Sequence, residues 1–396
     1  MIHSIIKVAL ALVCLSASAQ DLYTIRGKVL GGPDNKPLPS ASVFLANTSY
    51  GVISNPEGAF AIPNVAKGRY RLVVSYVGYQ TWIINIEASD ERPYVIILKP
   101  AATLLQELVV TDKREVHRRS LADFTTFKEL FIGLSKNANK CKIVNDRALF
   151  FNNKGGILSA SADSLLVIEN LGLGYRITCL LENFTYNRAL NRLKYRAQMV
   201  YEQLTPSDAQ EERRFAANRL EAYYGSELHF MRALYNQRLK EEGFFVTLSY
   251  ERSSSGDDAN FTYSDTVLRV KSRLFPDKIR VPTLINYNRF LDSVSSTPSH
   301  PVILFSGQLR ITYVDESEPL DYLRRRDPKS VGLTVPQQSG LRLIEGEVAV
   351  EPNGMVLQEG NLSSQGYWSW ELVAESLPVD YDPEHDIKTL KLSTDH

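Results

Sequence analysis

The sequence predicts a mainly β protein in two parts: an N-terminal seven-stranded sandwich of immunoglobulin-like size, and a larger α+β domain whose antiparallel sheet carries a helical hairpin. Three observations predict it. Across residues 20–100 short apolar runs alternate with turns rich in Gly, Pro, Asn and Asp, the spacing of a sandwich. Beyond Leu121 longer runs alternate cleanly, as in Tyr195, Ala197, Met199 and Tyr201 against Lys194, Arg196 and Gln198, the pattern of a sheet with one wet face. One stretch, at about 206–242, has a helical period between recognisable caps. At 396 residues the chain exceeds one average core, and its 20 Tyr and 16 Phe lean towards β structure. With 45 basic and 45 acidic residues there is no general electrostatic case for nucleic acid or an anionic membrane surface.

Residues 1–19 read as a secretory signal peptide. Lys7 supplies the positive region, residues 8–15 the apolar core, and Ala17-Ser18-Ala19 a small-x-small cleavage site before Gln20. The apolar core is too short for a finished transmembrane helix, and no later segment is long and apolar enough to span, so an exported chain without a transmembrane span is expected. Lipidation at Cys14 is the alternative, although Val13 stands where a lipobox has a small residue. The other two cysteines, Cys141 and Cys179, leave two readings open. Export permits a disulfide worth about 3 to 4 kcal/mol on a chain-entropy model; two buried thiols is the other, since sequence does not give their distance.

In the first domain the strand candidates are 23–30, 42–46, 51–53, 59–62, 70–76, 81–87 and 94–98. Asn55-Pro56-Glu57-Gly58 forms a tight turn, with Pro pre-set near φ −65° and Gly where positive φ is tolerated. Tyr70, Leu72, Val74 and Tyr76 then share one strand face. The ordered pieces Ile25-Arg26-Gly27-Lys28-Val29, Pro37-Leu38-Pro39-Ser40-Ala41, Ser54-Asn55-Pro56-Glu57-Gly58-Ala59-Phe60, Gly68-Arg69-Tyr70 and Val74-Ser75-Tyr76-Val77-Gly78-Tyr79 resemble the carboxypeptidase regulatory-like domain. That resemblance implies a transthyretin-like sandwich, of the kind that often precedes the plug of TonB-dependent outer-membrane receptors. It implies no peptidase chemistry.

Residues 101–120 read as a linker. Its run 104–111 resembles the segment that follows this module in receptors and can add a strand to a partner; a last sandwich strand before a solvated linker is the other reading. The chain after Ser120 is too short for a plug and a 22-stranded barrel, whose strands need roughly 10 residues each before loops are counted.

In the second domain, 121–396, strand candidates are 148–152, 156–161, 165–169, 175–184, 193–201, 243–251, 302–314 and 341–350. Thr205-Pro206-Ser207-Asp208 signals a helix start, Gly225 a stop and Ser226 a second cap, with Leu228, Met231, Tyr235 and Leu239 as an apolar stripe. Glu211, Glu212, Arg213, Arg214 and Arg219 read as a solvated helix face. Residues 253–258 read as a loop, and Arg324-Arg325-Arg326 either as an anion grip or as a surface loop neutralised by Asp321 and Asp327. Asn137-Ala138-x-x-Cys141, Leu173-Gly174-Tyr175, Ala222-Tyr223-Tyr224-Gly225-Ser226-x-x-His229 and Gly366-Tyr367-Trp368-Ser369-Trp370-Glu371 resemble an uncharacterised set of exported proteins, which transfers no activity. Tyr367, Trp368 and Trp370 form a stacking platform or partner surface if exposed, and a sheet-closing strand if buried.

Motifs for catalysis are missing. No His-x-x-Glu follows any His, and there is no His-Glu-x-x-His, Gly-x-Ser-x-Gly, phosphate loop or paired Cys set. His385 between Glu384 and Asp386 reads as part of a solvated tail. The expected function is a non-catalytic cell-envelope protein, periplasmic or outer-membrane associated, acting as a binding or scaffolding module without catalytic residues, metal or cofactor. One alternative is a glycan- or peptide-binding component beside a TonB-dependent transporter, using Tyr367, Trp368 and Trp370. Another is a hydrolase with dispersed carboxylates.

Overall fold

A computed structural model describes residues 22–89, 92–101, 120–250, 261–287, 290–292, 296–297, 301–330 and 332–392. The leader with Cys14, the 104–111 run and the 253–258 loop lie outside the described residues. Among these residues no helix is long and apolar enough to cross a membrane.

The N-terminal part contains β1 (Leu22–Gly31), β2 (Lys36–Pro37), β3 (Ser42–Leu45), β4 (Gly51–Ile53), β5 (Ala59–Ala66), β6 (Arg69–Ser75), β7 (Trp82–Glu87) and β8 (Tyr94–Leu98). β1 pairs with β2, β5 and β8 in one sheet, and β4-β3-β6-β7 form the other. Every expected strand is present. The addition is β2, too short to show as periodicity, and β8 runs parallel to β1. Ile25, Val29, Phe60 and Ile62 of one sheet meet Val43, Leu45, Leu72 and Val74 of the other in one core. Gly58, at φ +74°, ends the predicted turn where a Cβ would lie 2.4 Å from the Val29 carbonyl oxygen, so only glycine fits.

The remainder begins with α1 (Leu121–Phe131) and a six-stranded sheet of β9 (Cys141–Ile143), β10 (Leu149–Lys154), β11 (Ile157–Ala162), β12 (Leu166–Asn170), β13 (Tyr175–Asn187) and β14 (Arg192–Gln203). The helical hairpin α2 (Ala209–Tyr223) and α3 (Glu227–Tyr235) follows. Then come β15 (Phe244–Tyr250), β16 (Phe261–Tyr263), β17 (Thr266–Val270), β18 (Ile279–Thr283), β19 (Val302–Ile303), β20 (Gln308–Ser317), α4 (Leu320–Arg326), β21 (Pro336–Leu343), β22 (Val348–Ala349), β23 (Leu362–Gly366), α5 (Trp368–Glu371) and α6 (Pro383–Lys391). The second sheet runs β16-β15-β20-β21-β23. β15 is buried on both faces: Phe244, Val246 and Leu248 face the core that holds α3, while Phe245 packs with Val281 of β18.

The hairpin departs from expectation at its ends. Asp208, not a residue before Pro206, caps α2, its carboxylate accepting from the Glu211 N–H at 2.7 Å. Ser226 caps α3 as expected, but α3 stops at Tyr235, so Leu239 belongs to the following turn. Arg219 is not solvated: it is 7 % exposed and bidentate with Asp386 of α6, at 2.7 and 2.6 Å. The expected 302–314 strand is broken over 304–307, and at Gly307, φ +86°, an added Cβ would lie 2.4 Å from the Ser249 carbonyl oxygen.

The sandwich is docked. Phe44, Ala46 and Val73 on its outer face pack against Leu180 and Val200. The Asn47–Ser49 turn runs along the free edge of β14: Asn47 N–H donates to the Met199 carbonyl at 2.6 Å, and Tyr201 N–H to that of Thr48 at 2.9 Å. Asp380 accepts from the Ser49 N–H at 2.8 Å, and Arg69 pairs with buried Glu351 at 2.6 Å. Covering β14 in this way removes an edge open to aggregation.

Candidate functional site

Two of the motif segments singled out above, the one around Gly225 and His229 and the one around Trp368, meet at the junction of α2 and α3. Gly225, at φ +81°, turns the chain between the helices. Its N–H donates to His229 Nδ1 at 3.1 Å, and its carbonyl accepts from Trp368 Nε1 at 2.7 Å. Since Nδ1 accepts, the proton of His229 sits on Nε2, which faces Glu242 at 3.4 Å. Burial pushes this imidazole down to about 4, so it is neutral and structural.

Beside Gly225 stands Glu316, which forms an acidic centre with Glu221, Glu371 and Glu375 by acting on them electrostatically. β20 delivers Glu316 through an irregularity, its register against β21 shifting between Tyr313 and Ser317, which re-aims the side chain. A Cβ on Gly225 would lie 2.5 Å from Gln337 Oε1 and 2.8 Å from Glu316 Oε2. Glu375 accepts from Ser135 Oγ and, at 2.8 Å, from Asn137 Nδ2. Lys136 pairs with half-exposed Glu221. Burial, then the nearby Glu221 and Glu375 carboxylates, push Glu316 up to about 8 against the pull of Lys136. Burial also holds Glu371 well above its ordinary range, reinforced by Glu316, Glu375 and Glu221 and opposed by a hydrogen bond to Tyr367. Glu375 shifts up through burial, less so because Ser135 and Asn137 bind it. Gln337, 1 % exposed, has neither amide atom paired, and Glu316 Oε2 is unpaired as well. Such groups can store protons or donate hydrogen bonds as neutral acids. No three His, Cys, Asp or Glu side chains among the described residues are set to hold a metal ion.

Gly225→Ala tests this junction. The left-handed backbone alone costs an alanine about 1 to 2 kcal/mol, and the added methyl must displace the ends of Gln337 and Glu316. Thermal unfolding should show a lower midpoint; an unchanged midpoint would mean the approach is looser than drawn.

A second feature is a cleft of about 410 Å³ where the sandwich meets the α+β region. Arg69, Tyr70, Arg71, Asn85 and Glu87 line one wall and residues 355–358 the other.

The predicted site residues fall differently. Tyr367 and Trp368 are each 6 % exposed, so the three aromatics do not form an open platform. β23 ends before them and the motif turns into α5 instead of forming a closing strand. Trp370 is half-buried, with Arg325 over its ring at 5.5 Å. The triple Arg lies at the end of α4, not on a loop: Arg324 pairs with Asp321 as expected, but Arg326 pairs with Glu318 in place of Asp327 and Arg325 lies over Trp370. Cys141 and Cys179 are free buried thiols, each pushed up to about 12, by burial first. They lie on β9 and β13 with β12 between, Cys141 opposite Asn170 and Cys179 opposite Leu166, so two strand spacings across (roughly 9 to 10 Å) and four residues along (roughly 13 Å) separate them, beyond disulfide reach. His385 is exposed as expected, but its tail is α6, docked through Asp386.

Sequence reasoning missed the acidic centre. A signal was present: Glu371 and Glu375 stand one helical turn apart, flanking the apolar Leu372-Val373-Ala374. Glu316 follows the point where the β20 alternation gives way to Asp315-Glu316-Ser317-Glu318.

Comparison with known families places the sandwich: residues 25–110 match the model of the CarboxypepD_reg-like domain. The N-terminal part is therefore a CarboxypepD_reg-like domain, joined to a β-rich α+β region that this family does not cover. No curated protein matches the chain. Among solved structures, two interface mutants of a type II cohesin–X-dockerin complex from Acetivibrio cellulolyticus align at 20 % identity, with TM-scores of 0.18 and 0.17, over 20 % and 19 % of this chain. The match spans 58 % and 56 % of those chains. A DUF3823 family protein from Bacteroides ovatus aligns at 12 % identity over 48 % of this chain and 86 % of its own, with a TM-score of 0.18. At these scores the likeness decides neither fold nor function.

Proposed function

We propose that this protein is an exported, non-catalytic cell-envelope module that binds a polar ligand, a glycan or peptide, in the cleft between its sandwich and its α+β region. The cleft carries this reading. It has ligand-sized volume, its walls come from two parts held in register by the β14 edge and the Arg69–Glu351 pair, and charged and amide side chains line it together with Tyr70 and Ile86. The CarboxypepD_reg-like domain supports a protein partner in the periplasm or at the outer membrane, which cross-linking in intact cells would capture.

Titration calorimetry of the mature chain against oligosaccharides and peptides released from the cell envelope is the direct test. Asn85→Trp, which fills the cleft from an exposed position, should abolish binding with an unchanged unfolding midpoint. Binding that survives this change removes the cleft from consideration. The acidic centre favours a hydrolase as the second reading, because it holds carboxyls as neutral acids. Turnover of an envelope polymer by the wild type and not by Glu371→Gln would put that reading first.

A further inference from the structure

β7 forms one side of the sandwich sheet β4-β3-β6-β7, and no described strand pairs with its outer edge. Its register on β6 is regular from Arg69–Glu87 to Val74–Trp82. One residue further on, the Ala88 N–H donates to the Gly68 carbonyl at 2.8 Å, so these two are a hydrogen-bonded pair of the same register. Alternation then turns the backbone groups of Ile86, Ile84 and Trp82 towards β6, and those of Glu87, Asn85 and Ile83 outward. No group of the described residues bonds to that outward set.

Strand edges are ordinarily blunted by charge, proline, a bulge or shortness. From Trp82 to Ile86 this one has none of them, and Ile83 and Ile84 are 36 and 39 % exposed. The other outer strand of the sheet, β4, is only three residues long. β8 stands between Pro93 and Pro100, and the Gln80 N–H occupies the Lys99 carbonyl beside its end. The side chains of Ile83, Asn85 and Glu87 share the outer face of the sheet with Arg69 and Arg71, where Asn85 and Glu87 line the cleft. Arg69 lies opposite Glu87 but is engaged by Glu351, through Nε at 2.9 Å and Nη2 at 2.6 Å. Glu87 therefore has no ion-pair partner among the described residues.

We propose that β7 is the docking edge for an extended peptide of a partner protein, which adds to the sheet as a further strand beside Ile83, Asn85 and Glu87. The peptide backbone meets the outward N–H and C=O groups, a Lys or Arg lies against Glu87, and an apolar side chain on the opposite face covers Ile84. A glycan has no donors and acceptors repeating at the strand interval, so the edge selects a polypeptide. The proposal rests on the cleft as the ligand site and names what enters it: outer-face side chains of the added strand stand about 5 Å from Asn85 and Glu87.

The test titrates the full mature chain into an array of labelled peptides about seven residues long that alternate Val with Thr, one Thr at a time replaced by Lys or Glu. The best Lys-bearing peptide should bind roughly tenfold tighter than its Glu counterpart. N-methylating the alternate amides that face the edge should abolish binding, and N-methylating the other set should not. Ile83→Pro removes an outward N–H, spares the bonds to β6 and lies outside the cleft lining. It should weaken binding by about tenfold or more with an unchanged unfolding midpoint; if it does not fold, the N-methylated pair decides with the wild type. Binding that survives N-methylation and Ile83→Pro but is lost in Asn85→Trp overturns strand addition and leaves the cleft as a side-chain site. Loss in Ile83→Pro with survival in Asn85→Trp keeps the edge and removes the cleft. An array that stays empty overturns the proposal, as does a doubled mass in sedimentation that Ile83→Pro abolishes, which would give the edge to a second copy of the chain.

Discussion

Replacing Asp386 by Asn is expected to lower the unfolding free energy by about 3 to 5 kcal/mol, measured by urea denaturation followed by circular dichroism. Asp386 is 1 % exposed and holds the Arg219 guanidinium through two bonds of 2.7 and 2.6 Å. It also accepts from the Tyr381 hydroxyl at 2.8 Å, while Arg219 donates to the Leu173 carbonyl at 3.1 Å. An amide in its place leaves a guanidinium uncompensated away from water, and that stranded charge sets the cost more than the lost bonds do. Arg219→Met/Asp386→Leu should therefore be less damaged than Asp386→Asn, because the pair's desolvation disappears with it. If the single change costs under about 1 kcal/mol, in the range of a surface pair, α6 is not docked as described.

Trp368→Ala is expected to cost about 3 to 5 kcal/mol, the range for emptying a large aromatic site. The indole packs on Phe230 with ring centroids 5.5 Å apart, and its Nε1 donates to the Gly225 carbonyl. Trp368→Phe keeps most of the contact and should cost about 1 to 3 kcal/mol, from leaving that carbonyl unpaired. Near-equal losses in the two variants would show that the hydrogen bond outweighs the packing. A Trp368→Ala protein of unchanged stability would return this residue to the surface, where an aromatic platform needs it.

Local chemistry explains what was legible. The turn at Asn55 to Gly58 and the Gly225-Ser226 stop and cap each depend on residues within a few positions of one another, so each appeared where expected. β14 formed as a strand, but its expected wet face did not: Gln198 is fully buried under the docked sandwich, where Arg71 donates to it, and Tyr195 is 39 % exposed. The hairpin's start was misplaced because Pro206 and Asp208 both carry start signals, and only the Glu211 N–H bond decides between them. α1 went unseen as a helix although Ser120 caps it, its Oγ accepting from the Asp123 N–H at 3.3 Å.

By itself the sequence determined two parts, a β-rich fold, the module type of the first part and the helical interruption of the second. Only the tertiary structure decided that the sandwich docks on β14, that Arg219 and Asp386 meet from 167 residues apart, and that four glutamates share a seam. The reason is one of range. Period and turn chemistry act between neighbours in the chain, whereas the burial that leaves Glu316 and Glu371 without water depends on segments that meet only once the two sheets have packed.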